Sequence, residues 1–139
     1  MDALVANGVI LTRDGERAFA DVQAKCYGIY FSAHWCPPCR GFTPVLAEFY
    51  KEVNASGKKM EIFFVSFDQT QEQFNEYFKE MPWAAFPFGD ARRDALSQKF
   101  GVQGIPKFVV LKADGSVITE DGRGAVQNEG PGAVDKWIA

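Results

Sequence analysis

The chain has 139 residues and a formal charge of −3, and 47% of its residues are hydrophobic and 14% aromatic. This composition is typical of a well-packed globular chain and excludes an intrinsically disordered one. Lysine and arginine are scattered rather than clustered, and no apolar run reaches the roughly 18 residues that a membrane span needs. We therefore expect neither a nucleic-acid-binding protein nor a membrane protein.

The cysteine content bears on the compartment. The chain has three cysteines, and its first residues, MDALVANG, lack a basic start followed by an apolar stretch. An odd number of cysteines argues against a secreted scaffold held by disulfides, and the first residues do not have the pattern of a secretory signal. We expect a reducing compartment, the cytoplasm with the nucleus as a second location, where a Cys-X-X-Cys pair is more often catalytic or metal-binding than structural.

The N-terminal part of the chain predicts short strands followed by a buried one. Residues 2–11, DALVANGVIL, indicate a β-hairpin or two strand fragments around Asn7-Gly8, and Asp14-Gly15 marks the next turn. The aromatic and β-branched run at 24–33, AKCYGIYFSA, predicts a buried strand.

Helical periodicity begins directly after the two central cysteines. Apolar residues at steps of three and four predict one buried helix face, formed by Phe42, Val45, Leu46, Phe49, Tyr50 and Val53. We expect this helix to end between residues 54 and 59, with Gly57 as its C-terminal cap.

The second half of the chain predicts alternating strands and helices. Residues 61–67, EIFFVSF, indicate a second buried strand, and helical spacing follows at Phe74, Tyr77, Phe78 and Met81. A helix capped by Asp90 and running through Lys99 comes next, then a hairpin of 107–112 and 116–119, and a short helix near 131–138. This order predicts an α/β fold with a mixed central β-sheet flanked by helices on both faces.

The stretch SAHWCPPCRG at 32–41 carries the strongest chemical signal. Cys36 follows the first buried strand, and the predicted helix begins just after it. A helix N-terminus offers free N–H groups and a partial positive charge, and both stabilise a thiolate. Pro37 and Pro38 suit the first helical turn, because their missing N–H groups would be unpaired there anyway. The spacing therefore favours a redox-active pair of Cys36 and Cys39.

Two other interpretations of the cysteines stay open. A zinc site could use Cys26, His34, Cys36 and Cys39, but Cys26 lies ten residues upstream of Cys36 on a predicted strand and no second Cys-X-X-Cys exists. Two inert buried thiols are the other alternative, since free cysteine is commonly buried. The position at a helix start and the neighbouring Trp35, expected to be partly exposed, argue against inert thiols.

Several motifs in one order resemble the thioredoxin superfamily and, within it, the tryparedoxin and nucleoredoxin branch. They are SAHWCPPCR, FFVSFD at 63–68, YFKEMPW at 77–83 and FGVQGIP at 100–106, with Pro44 five residues after Cys39. The resemblance covers about residues 24–120 and implies a thioredoxin-like fold. We expect one domain over 1–139, with an N-terminal hairpin or extension at 1–23, a core at 24–120 and a C-terminal segment at 121–139.

The resemblance also implies roles for single residues. Cys36 attacks a disulfide and Cys39 resolves the mixed disulfide. Pro106, preceded by Ile105, is the cis-proline that faces the cysteines, and the backbone of Ile105 pairs with an extended substrate segment. The implied substrate-binding residues are Trp35, Pro37, Ile105 and Pro106.

One feature of the family is replaced in this sequence. Thioredoxins carry a buried aspartate six residues before the first cysteine, where this chain has Tyr30. The proton acceptor for Cys39 is therefore open, with water and a substrate thiolate as candidates. Cys26 is expected to be a buried strand residue and His34 an exposed loop residue, whereas Trp83 could line the groove or pack in the core.

The function implied by the resemblance is reduction of protein disulfides by thiol–disulfide exchange between Cys36, Cys39 and a target. The alternative is a redox-sensing module whose cysteine pair controls partner binding. The implied partners are disulfide-bearing proteins, such as a peroxidase, and an upstream donor, either a reductase or a small thiol such as trypanothione or glutathione. We expect a monomer with no cofactor beyond the Cys36–Cys39 disulfide itself.

Overall fold

A computed structural model describes residues 9–12, 14–19 and 22–138, and these form seven strands and five helices. The strands are β1 (Val9–Thr12), β2 (Gly15–Ala18), β3 (Cys26–Ser32), β4 (Met60–Ser66), β5 (Ala84–Ala85), β6 (Lys107–Lys112) and β7 (Val117–Thr119). The helices are α1 (Pro37–Val53), α2 (Gln71–Phe78), α3 (Arg92–Lys99), α4 (Gly122–Glu129) and α5 (Gly132–Trp137). The hairpin expected around Asn7-Gly8 lies outside the described residues.

The strands form one mixed sheet in the order β2-β1-β5-β4-β3-β6-β7. Strand β3 pairs in parallel with β4 and antiparallel with β6, and β5 is parallel to β4. The outer strands complete the sheet with antiparallel pairs, β1 with β2 and β5, and β6 with β7. All seven residues of β3 and of β4 are buried, which explains why both read as unbroken apolar runs.

Helices cover both faces of the sheet, as the sequence predicts. Because neighbouring side chains of a strand point to opposite faces, β3 and β4 supply residues to two cores. Tyr30 and Phe64 pack with α1, α2, α4 and α5 on one face, whereas Ile29 and Phe63 pack with α3 on the other. The expected α/β class with a mixed, doubly covered sheet is confirmed.

Helix α1 differs from its prediction in two details. Val45 is 43% exposed, because helical geometry places it at the margin of the stripe centred on Leu46 and Phe49. The helix ends at Val53, and Asn54 rather than Gly57 follows as its C-cap. The Asn54 side chain accepts from Lys59 N and Met60 N and donates to Met60 O, so it fixes the turn into β4.

Three elements had no prediction: strand β2, the two-residue strand β5 and helix α4. Asp121 caps α4 by accepting from Gly124 N at 3.1 Å. A Cβ on Gly122 would lie 2.9 Å from the Phe108 carbonyl oxygen, so this glycine lets α4 sit directly on β6. In the ranges that the structure covers, none of the helices combines the length and apolarity that a membrane crossing needs.

Candidate active site

The two cysteines lie where β3 gives way to α1. Cys36 is the N-cap residue of α1, and its Sγ accepts a hydrogen bond from Cys39 N at 3.4 Å. Pro37 and Pro38 occupy the first two helical positions, so they remove N–H groups that would have no partner there. In the first helical turn, the Cys39 N–H is thus the group that donates to the Cys36 sulfur.

The two thiols, both free, differ in their access to solvent. Cys36 is 5% exposed and Cys39 is fully buried behind it. Burial, and after it the neighbouring Cys36, raise the pKa of Cys39 to about 11, although hydrogen bonding with Ser32 and with the Ala33 backbone lowers it. At neutral pH Cys39 is therefore a protonated thiol out of reach of a bulky substrate.

The loop before β6 closes the site from the other side. The Ile105–Pro106 peptide is cis, and the Ile105 carbonyl oxygen lies 3.9 Å from the Cys36 sulfur. Pro106 is buried, whereas Ile105 packs with Phe67 against the small cluster that holds the two sulfurs. The structure therefore brings this loop and the cysteine pair together.

Trp35 and Pro37 stand at the exposed rim. Trp35 is 49% exposed, yet its indole N–H donates to the Phe67 carbonyl at 3.0 Å, so the ring is held in place. Pro37 is exposed at the tip of the helix. Arg40 is exposed as well, and its backbone N–H bonds the Cys36 carbonyl at 3.1 Å.

A cleft of about 430 Å³ continues from Pro106 to the start of α4. Its charged lining includes Lys107, Asp121 and Arg123, and Lys107 Nζ lies 3.9 Å from Glu120. The Arg123 guanidinium lies 5.8 Å from the ring centre of Phe42, with its Nε buried and no acceptor for it among the described residues. The sequence analysis missed Arg123, because α4 had no recognised pattern.

Asp68 is a second site residue that the sequence analysis did not single out. It is 3% exposed, and its carboxylate accepts from the His34 backbone N–H and from the Ser66 hydroxyl, both at 2.6 Å. The loop that precedes Cys36 is therefore anchored on a buried carboxyl group. The signal was present in the FFVSFD motif, which ends at this residue.

Replacing Asp68 with alanine should loosen that loop. The His34 N–H and the Ser66 hydroxyl would lose their acceptor, and an unsatisfied buried group costs roughly 1–3 kcal/mol. Asn keeps one oxygen for His34, so Asp68→Asn should cost less than Asp68→Ala. Urea unfolding of both variants measures the difference, and equal losses for the two would contradict the anchor role.

Four hydroxyl groups form a buried chain beneath the cysteines. The Tyr30 hydroxyl lies 2.7 Å from Thr43 Oγ1, which lies 2.5 Å from the Tyr77 hydroxyl. The Tyr77 hydroxyl in turn lies 2.7 Å from Ser32 Oγ. Tyr30 thus places a neutral hydroxyl network where thioredoxins carry a carboxylate.

The residues of the conceivable zinc site are not brought together. Cys26 begins β3, so it is a strand length away from the cysteine pair, and its Sγ lies 3.7 Å from the Lys59 carbonyl. Burial raises the pKa of Cys26 to about 11. Among the residues with described positions, no three His, Cys, Asp or Glu side chains are grouped to hold a metal ion.

His34 and Trp83 have different surroundings. The half-exposed His34 ring stacks on Tyr77 at 5.2 Å between centroids, and its Nε2 lies 3.9 Å from Glu80. Trp83 is 1% exposed and packs edge-on against Tyr30 and Tyr50, which places it in the core rather than in the groove.

Comparison with known proteins connects this geometry to a family. The family model described as "Thioredoxin-like" matches residues 23–117. The chain is 43% identical to a nucleoredoxin of Danio rerio over 137 residues, which are 97% of this chain but 33% of that protein. It is 40% identical to the tryparedoxin of Trypanosoma brucei brucei over 131 residues, covering 92% of this chain and 90% of that protein.

A solved structure gives the same result. The structure of a thioredoxin from Wuchereria bancrofti superposes with a TM-score of 0.83 at 41% identity, covering 96% of each chain. The chain spans about a third of the length of the nucleoredoxins that it matches. The chain belongs to the thioredoxin-like family of thiol–disulfide oxidoreductases, in the branch that contains the tryparedoxins and nucleoredoxins.

Proposed function

We propose that this chain reduces disulfide bonds of proteins, with Cys36 as the attacking and Cys39 as the resolving cysteine. The observation that carries the proposal is the unequal burial of two free thiols at one helix N-terminus. Cys36 keeps a small exposed fraction and receives the Cys39 N–H, whereas Cys39 is fully buried behind it. One thiol is thus placed to meet a substrate and the other to meet only Cys36.

The proposed reaction has two exchange steps. The Cys36 thiolate attacks one sulfur of the substrate disulfide, that S–S bond breaks, and the other substrate sulfur leaves as a thiolate that takes up a proton. Cys39 then attacks the Cys36 sulfur, so the Cys36–Cys39 bond forms and the second substrate sulfur leaves with the proton that Cys39 gives up. The substrate gains two electrons, and an external dithiol restores the enzyme.

The surface around Cys36 suits an extended polypeptide segment. In this proposal the backbone of Ile105 pairs with the segment, and Trp35, Pro37 and Pro106 flank it. The fixed indole of Trp35 supports this arrangement, because a held aromatic ring loses little entropy on contact. Arg123, in the neighbouring cleft, would meet acidic groups of a substrate.

Partners and location belong to the proposal as well. The targets would be disulfide-bearing proteins, a peroxidase among them, and the donor a reductase or a small thiol such as trypanothione or glutathione. We place the protein in the cytoplasm and nucleus as a monomer, without nucleic acid or membrane partners. The domain division, with an N-terminal segment at 1–23, a core at 24–120 and a C-terminal segment at 121–139, stays a prediction.

A redox-sensing module is the second candidate function. The chain covers about a third of its nucleoredoxin relatives, so its counterpart there is one part of a larger protein. In such a protein the state of the Cys36–Cys39 pair could control binding of a partner. This role needs stoichiometric oxidation and no turnover.

Catalytic turnover separates the two functions. With a dithiol donor in excess, protein far below the insulin concentration should reduce many insulin disulfides per molecule. The rate should fall to that of the donor alone in Cys36→Ser. A wild-type rate no higher than that of the donor alone would refute the reductase and leave the sensor.

A further inference from the structure

The hydroxyl chain beneath Cys39 has a feature that packing does not require. Its four members come from β3, α1 and α2, yet each lies within hydrogen-bond distance of the next, as described above. Ser32 stands at the end of the chain nearest Cys39, and its side chain lowers the pKa of the Cys39 thiol, although burial outweighs this effect. The hydroxyls are therefore connected from Tyr30 to Ser32, the member that acts on the thiol.

The number of hydroxyl protons allows every member of the hydroxyl chain to donate in the same direction, toward Cys39. Each hydroxyl has one proton to donate, and the order Tyr30, Thr43, Tyr77, Ser32, Cys39 has four links. If every member donates to the next, all four protons point toward the sulfur and no donor is left over. When Cys39 is a neutral thiol, Thr43 and Tyr30 have another acceptor, the Cys39 carbonyl, at 3.0 and 3.4 Å.

The members of the chain are donors rather than bases. Burial raises the pKa of Tyr30 and of Tyr77, so both phenols keep their protons at neutral pH. A neutral donor beside a buried sulfur favours the charged form of that sulfur without adding a second buried charge. Chains of hydrogen bonds also polarise one another, which strengthens the final link.

We propose that the hydroxyl chain of Tyr30, Thr43, Tyr77 and Ser32 stabilises the thiolate that Cys39 forms during the resolving step, in the place of a buried carboxylate. Ser32 is the member that acts on the Cys39 thiol, and the other three are positioning residues that act through it. The Cys39 proton ends on the departing substrate thiolate. This inference rests on the proposed function, because it concerns the second exchange step.

The experiment uses a nitrobenzoate disulfide that releases yellow thionitrobenzoate. Attack by Cys36 releases the first equivalent at a rate that depends on reagent concentration. Resolution by Cys39 releases the second equivalent at a rate that is independent of reagent concentration. Stopped-flow traces from pH 6 to pH 10 therefore report the two steps separately, in the same sample.

Loss of the hydroxyl groups should act on the second phase alone. In Ser32→Ala the apparent pKa that governs the rate of the second phase should rise by about one unit. Because a thiolate of higher pKa is also a better nucleophile, the second phase at neutral pH should slow by about threefold rather than tenfold. Tyr77→Phe should have a smaller effect in the same direction, and Tyr30→Phe, at the far end, the smallest.

Matched variants separate this role from packing. Thr43→Val should slow the second phase, whereas Thr43→Ser, which keeps the hydroxyl, should restore it. Tyr27→Phe removes a tyrosine hydroxyl elsewhere, one that bonds the Val22 carbonyl at 3.3 Å, and should leave both phases unchanged.

Other groups near the chain titrate and belong in the pH analysis. Cys36 Sγ accepts from Cys39 N, and His34 stacks on Tyr77 with Glu80 beyond it. Asp68 holds the His34 backbone. Repeating the titrations in His34→Gln and Glu80→Gln should leave the shift caused by Ser32→Ala in place.

The outcomes are distinct. An unchanged second phase in Ser32→Ala and Tyr77→Phe, or an equal slowing of the first phase, would overturn the role of the hydroxyls. A rise of the second-phase pKa in Tyr27→Phe as large as that in Ser32→Ala would also overturn it. The same holds if the effect of Ser32→Ala disappears in the His34→Gln or Glu80→Gln background. A wild-type protein that releases only one equivalent would instead refute the proposed function.

Discussion

Replacing Cys39 with serine should turn the protein into a covalent trap that captures one disulfide substrate and does not release it. Cys36 keeps its place at the helix N-terminus, so the first exchange proceeds. The second stops, because a serine hydroxyl stays protonated and does not displace sulfur. Intact-mass spectrometry with a disulfide-bearing peptide should show one adduct per protein, which disappears on addition of a dithiol.

Two variants serve as controls for the trap. Cys36→Ser should form no adduct, since Cys39 is fully buried and its pKa is raised to about 11. Cys26→Ala in the Cys39→Ser background should trap as efficiently as Cys39→Ser alone, because Cys26 lies at the end of β3 that is far from Cys36. An adduct on Cys39 in the Cys36→Ser protein would reverse the assignment of the two cysteines.

Truncating Phe108 to alanine should cost about 3–5 kcal/mol, a large part of the roughly 5–15 kcal/mol that holds a domain folded. The ring is 1% exposed and packs edge-on against Tyr30 at 6.3 Å. Two glycines make room for it, since a Cβ on Gly28 or on Gly122 would lie 2.3 or 2.6 Å from ring atoms. Urea denaturation at neutral pH measures the loss.

A double-mutant cycle tests whether Gly28 is there for this ring. Gly28→Ala alone should destabilise the protein by about 1–3 kcal/mol, because the added methyl overpacks the site. In the Phe108→Ala background the same methyl enters the space that the ring has left, so the cost should vanish or change sign. Additive losses would show that Gly28 serves another purpose.

The sequence carried the information for elements with regular patterns. The unbroken apolar runs that became β3 and β4 and the spacing of Phe42, Leu46 and Phe49 depend only on local burial, so they could be read directly. The position of Cys36 at a helix start followed from the same patterns. Val45 was misassigned because a stripe of apolar residues does not state how wide the buried face is.

The remaining features arise from contacts between distant segments. Helix α4 contains Gly122 and Gly124, which lower helix propensity, and its place is set by packing on Phe108. Strand β5 has two residues, too few to show any period. The hydroxyl chain joins Ser32 to Tyr77, 45 positions apart, and no local pattern reveals such a pair.

Cys36, the proposed attacking cysteine, is connected by a short loop to a central strand of the sheet. Strand β3 is bonded along its length to β4 on one side and to β6 on the other, and Cys36 follows four residues after it ends. The amide hydrogens of β3 should therefore be among the slowest in the chain to exchange with deuterated water, through opening that requires near-global unfolding. The strand that leads to Cys36 would therefore stay rigid during a catalytic cycle, and any motion that admits a target must come from the surrounding loops.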